Sequence, residues 1–157
     1  MGIDYIPDYT DIILKEKGLS SPRQLNDTLA MEIREEALER KIGAQLRADN
    51  FVSDKGVIDH LAYQIIWSTA YAEINDNLEF IEKVKAHVKK IEAKHIILPF
   101  EKYPIEDNSF RNMNYYHQLC IHNTIERLYR ELDINFENYD YIFEKDADEV
   151  LGELSLK

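Results

Sequence analysis

The sequence predicts an all-α protein: a bundle of four or five main helices, an extended proline-containing crossover, and an acidic aromatic C-terminal tail. Three observations predict it. Apolar residues recur at helical spacing through most of the chain, Gly, Pro and capping residues punctuate those runs, and no strand–turn–strand rhythm, internal repeat or low-complexity tract appears. At 157 residues with 45% hydrophobic content, the chain is large enough to bury one core without staples. We divide it into a single helical domain over 1–132 and an acidic aromatic docking segment over 133–157.

Tyr9 to Lys17 reads as a short helix stopped by Gly18. Ser21 and Pro22 then offer an N-cap and a first helical residue, opening a long helix that runs to about Asp49. Its apolar residues form two ladders on different sides, Leu25, Leu29 and Ile33 on one and Leu38, Ile42 and Leu46 on the other. A helix with two apolar sides touches more than one neighbour. Gly43 within it suggests close packing or a kink. Ser53 is the expected cap of the next helix, Val57 to Ala72, which is apolar nearly all round and so belongs at the centre of the bundle or in an oligomer seam.

After Asn75-Asp76-Asn77 the apolar stripe changes phase to Ile81, Val84, Val88 and Ile91, with Asp76 and Glu79 at capping-box spacing. Pro99 and Pro104 forbid a regular helix through His95–Asp107, yet the segment is apolar enough to lie packed rather than free. The last long helix is expected from about Asn108 to Leu132. Phe110, Met113, His117, Ile121, Ile125, Leu128 and Leu132 share one of its faces.

Charge narrows the function. A formal charge of −11 argues against a broad basic face for duplex nucleic acid. From Asp133 to Lys157 there are eight acids and two lysines, a net of −6, whereas residues 83–94 carry five lysines against Glu92. This pattern suggests mutual attraction of tail and lysine face, within one chain or between subunits. The N-terminus lacks a signal-peptide pattern, and no run of 18 apolar residues suggests a membrane span. The single cysteine, Cys120, suits a reducing, cytoplasmic compartment.

Catalytic signatures are sparse. There is no CxxC or HExxH, and Glu92-Ala-Lys-His95 is a lone Glu-x-x-His where a di-iron bundle needs two, so no metal or other cofactor is expected. His117 and Cys120 are neighbours three apart on a helix, but both fall on or near the apolar stripe, where a cysteine acts as a small hydrophobe. His60 and His95 read as packing residues. Five glycines and no GxxxxGK[ST] exclude a phosphate-cradling loop.

One local pattern names a reaction. Arg111, Asn112 and His117, with five residues between the Arg and the His, resemble the HEPN ribonuclease superfamily, in which an Arg and a His follow one another at this spacing in a helical domain. The resemblance covers seven residues and the helical class. It implies a dimer cleft that cleaves RNA without metal, His117 transferring a proton and Arg111 holding the phosphate. The favoured expectation is different: a non-enzymatic, self-associating protein–protein interaction protein, an assembly component, adaptor or regulator. Its partner-binding residues are expected to be Phe136, Tyr139, Tyr141 and Phe143 in the tail, with Phe100 and Tyr103 in the crossover.

Overall fold

The computed structural model describes the backbone of residues 2–20, 24–71, 74–100 and 113–138. Within them the protein is mostly helical. The order is β1 (Asp4–Ile6), α1 (Tyr9–Glu16), α2 (Asp27–Arg47), β2 (Phe51–Ser53), α3 (Val57–Tyr71), α4 (Ile74–Lys90), β3 (His95–Ile97), α5 (Tyr115–Glu131) and β4 (Phe136–Asn138).

The four strands correct the all-α expectation. β1 pairs in parallel with β2, setting Tyr5 opposite Val52, and β3 pairs in parallel with β4, setting His95 opposite Phe136. The two pairs are separate two-stranded sheets. Parallel neighbours cannot be joined by a tight turn, so each pair is closed by a helical crossover: α1 and α2 for the first, α5 for the second. Three-residue strands are too short to display the period-two alternation by which a strand is read.

Local chemistry sets the helix ends. Asp8 accepts the Thr10 N–H and starts α1, and the chain leaves it through Gly18 at φ +69°, a left-handed conformation that costs glycine little. α2 starts later than Ser21–Pro22, because the Asn26 carboxamide accepts the Leu29 N–H at 2.8 Å; residues 21–23 lie outside the described ones. It runs unbroken through Gly43, where the nearest atoms an added Cβ would meet belong to the Arg47 side chain rather than to another helix. Ser53 belongs to β2 and caps nothing. Instead the Asp59 carboxylate accepts the Gly56 N–H at 2.8 Å and closes the first turn of α3. α4 already includes Asn75-Asp76-Asn77, so Asp76 and Glu79 lie inside it rather than forming a capping box.

α5 begins at Tyr115 rather than near Asn108. The Asn114 side chain accepts the His117 N–H at 3.1 Å, which leaves Met113 before the helix and exposed.

α3 is central, packing on α2, α4 and α5. Val57, Ile58, Leu61 and Ala62 of α3 meet Leu38, Phe80, Val84, Ile97, Leu128 and Tyr129 in the main core, with Ile134 and Phe136 packed against it. A second cluster joins Ile13 and Leu14 of α1 to Ile33 and Ala37 of α2, with Leu25 and Leu29 at its margin. The two apolar sides expected of α2 are therefore both used, although Leu46, in its last turn, stays exposed. Among the lysines of 83–94, Lys94 reaches Glu137 of β4 at 3.1 Å, while Lys83 and Lys85 pair with Glu39 and Glu82 instead. Among the described residues no helix is long and apolar enough to cross a membrane.

Candidate functional site

Behind the turn from β2 to α3 lies a fully buried lysine. Lys41 projects from α2, and its ammonium lies 2.8 Å from the Pro7 carbonyl, 3.2 Å from Ser53 Oγ, 2.5 Å from the Asp54 carbonyl and 3.1 Å from the Lys55 carbonyl. Burial pushes its pKa down to about 8, against the opposing pull of Asp8, Asp54 and Asp59, so it remains charged at neutral pH. Lys55 sits at φ +57°, a left-handed conformation that a side chain adopts at a cost of about 1 kcal/mol or more. Two bonds offset that cost: its carbonyl accepts from Lys41, and its ammonium pairs with Asp8. Burial raises the Asp8 carboxyl, but the Lys55 charge with hydrogen bonds from Lys55 and the Thr10 N–H outweighs it and leaves the pKa at about 2.

This cage fixes one wall of a groove of about 930 Å³, near the upper end of the ~300–1,000 Å³ common for ligand sites. β2 and the turn after it form that wall; the rest comes from Gly2 and Ile3, the end of α2 with Asp49 and Asn50, the end of α4, β3 and α5. Apolar lining comes from Val57, Val88, Ile91, Ile97 and Ile125. The polar lining is held by internal partners. The Tyr129 hydroxyl and His95 Nδ1 are hydrogen-bonded at 3.0 Å, and the rings lie 5.1 Å apart. Burial, then the charge of Asp59, raises the Tyr129 pKa and keeps the phenol protonated, while burial lowers that of His95 and favours its neutral ring. His87 Nε2 stands 2.7 Å from Gln45 Oε1, a separation that requires the proton on Nε2; burial and then Lys90 lower its pKa. Burial raises the Asp59 pKa.

At the groove rim Asp49, Asp54 and Glu92 are exposed, and no ion pair among the described residues engages them. The two lysines of the lining are already engaged, Lys55 with Asp8 and Lys94 with Glu137. The groove is therefore lined mostly by apolar residues and carries exposed acids. Among the described residues no three His, Cys, Asp or Glu side chains are grouped to hold a metal ion.

The residues singled out from sequence fall elsewhere. His117 is half-buried in the first turn of α5, and Arg111 and Asn112 lie outside the described residues. Phe136 packs against Tyr129, ring centroids 5.4 Å apart, with the Arg130 guanidinium 5.8 Å from its ring. Phe100 lies between Tyr115 and His122 at 5.4 and 5.7 Å. Tyr103, Tyr139, Tyr141 and Phe143 lie outside the described residues. Sequence reasoning missed Lys41, Asp59 and Tyr129 as site-forming residues. One signal was available for Lys41: it falls three residues after Leu38, on the buried side of α2.

Comparison with known proteins finds no matching family model, no matching curated protein and no matching solved structure.

Two measurements check this arrangement. Lys41→Met leaves the Pro7 and Asp54 carbonyls without this donor and the Lys55 carbonyl with Ser53 Oγ alone, so it is expected to lower unfolding stability by about 3 kcal/mol in urea titration. A loss below about 1 kcal/mol, as for exposed pairs such as Lys83–Glu39, would remove the cage from the account. The second concerns pH. His60 is buried, its Nε2 makes no hydrogen bond, and burial lowers its pKa from 6.5 to about 4. Between those values the unfolded chain binds a proton that the fold refuses, so stability is lost as pH falls from 6.5 towards 4. The loss is about 3 kcal/mol for this group. His87 and His95 act in the same direction, and Asp8 adds a further loss as pH falls from 3.8 towards 2. Urea midpoints should fall across the upper window and fall less in His60→Met; a flat profile would contradict the assignment.

Proposed function

We propose that this chain is a non-enzymatic helical interaction protein, an assembly component, adaptor or regulator of a partner, and that it self-associates. The observation that carries this reading is the outer face of the β1–β2 ribbon. Tyr5 and Val52 are register partners and point to one side, and Ile3, two residues before Tyr5, shares it. Their exposures are 66% for Tyr5, 43% for Val52 and 50% for Ile3. Parallel sheets are ordinarily covered on both faces, and a ribbon of two strands is marginal alone. An apolar, open-edged parallel ribbon is therefore a surface made to be covered.

The finer architecture that accompanies this reading is a helical bundle over 1–132 with 133–157 as a docking segment. Ile134 and Phe136, packed on the core, would anchor the start of that segment. A reducing, cytoplasmic setting fits the free and exposed thiol of Cys120. The ribonuclease alternative has no specific support of its own, since of its three residues only His117 is described.

Light scattering with size-exclusion chromatography tests the proposal. The wild type is expected to be an oligomer at tens of micromolar. Tyr5→Glu, which places a charge on the ribbon face, is expected to weaken association at least tenfold, about 1.4 kcal/mol, without lowering the melting temperature. A wild type that is monomeric over that whole range would remove the main support.

A further inference from the structure

β2 and β3 stand on the walls of the same groove, and among the described residues each is the last strand of its sheet on one side. Consecutive residues of both meet the groove, Phe51, Val52 and Ser53 from β2 and His95, Ile96 and Ile97 from β3. Side chains alternate between the faces of a strand, so three residues in a row line one cavity when that cavity lies along the strand's edge.

The hydrogen bonds of β2 agree with this. Asp54 N–H donates to the Ile6 carbonyl, and the Asn50 carbonyl accepts from Asp4 N–H, both at 2.9 Å. In a parallel ladder every second residue bonds to the same neighbour, so the N–H and C=O of Phe51 and Ser53 point away from β1, on the groove side. β2 and β3 are not paired with each other.

We infer that the groove is a slot for one extended segment of a partner protein. The segment lies between β2 and β3, bonds to the open edge of β2, and joins the two ribbons into one sheet. Main-chain bonds give such a complex its affinity, and pockets for alternate side chains give its specificity. The charge of the slot selects the occupant. Its lining is mostly apolar, its exposed acids Asp49 and Glu92 make no ion pair among the described residues, and its two lysines are already paired within the chain. The fitting segment alternates apolar residues with lysine or arginine. This inference rests on the interaction reading; the groove lining includes Val52 and Ile3 of the ribbon face but not Tyr5.

Selection of a displayed library of random ten-residue peptides against the full chain tests it. Enriched peptides are expected to alternate apolar and basic residues. Methylating alternate backbone nitrogens of a selected peptide should weaken binding at least tenfold, because it removes strand pairing and keeps every side chain. Asp49→Lys combined with Glu92→Lys, both on exposed positions, should also weaken it at least tenfold with the melting temperature unchanged, whereas Tyr5→Glu should leave it unaltered. Enrichment of acidic or proline-rich peptides, no enrichment, or indifference to backbone methylation would overturn the slot and leave the self-association result standing. Loss of peptide binding in Tyr5→Glu would move the site to the ribbon face and overturn it equally.

Discussion

The buried ammonium of Lys41 is the constraint on which the rest of this structure depends. A charge of this kind is costly to remove from water, and it is tolerated here because four oxygens from three stretches of chain converge on it. Those stretches are the end of β1 at Pro7, the end of β2 at Ser53, and the turn into α3 at Asp54 and Lys55. One side chain from α2 therefore ties together the first ribbon and the entry to the central helix. It also compensates an unfavourable backbone: Lys55 holds a left-handed conformation, and its carbonyl and its ammonium are both engaged. Strain held in place by surrounding bonds marks positions where geometry matters to the molecule.

What that geometry maintains is a gap. The main core packs α3 against α2, α4 and α5, yet the two ribbons at its edge stay separate. Side chains of the gap such as Tyr129, His95 and His87 are hydrogen-bonded to internal partners. Their bonds stiffen the walls. Among the described residues, what stays unspent is main-chain hydrogen-bonding capacity on one edge of β2, apolar lining, and the exposed carboxylates of Asp49 and Glu92. Each of these supports the proposed capture of another chain.

Much of the helical layout was legible in the sequence. The Gly18 stop, the two-sided α2 and the central, apolar α3 follow from periodicity and capping chemistry, and the structure holds all three. Helix starts were less legible. Asn26 and Asn114 won over Ser21 and a start near Asn108, because several residues in each stretch can cap and only tertiary packing chooses among them. The strands could not be read, since three residues give no period and parallel pairing joins segments distant in sequence. The groove was hidden for the same reason: its walls come from residues near 52, 90, 96 and 125, which no local motif connects. Lys41 was the exception, a lysine on the buried side of α2, where a charge needs a compensating cage.

The central claim is that Lys41 holds β2 so that one edge pairs with β1 and the other stays open. Residue-resolved amide hydrogen exchange tests it most directly. The Asp54 amide, bonded to Ile6 on β1, should be protected, while the Phe51 and Ser53 amides of the same short strand should exchange at rates near those of an open chain. Equal protection of Phe51, Ser53 and Asp54 in the free protein would mean that the second edge is already occupied, and would contradict the account.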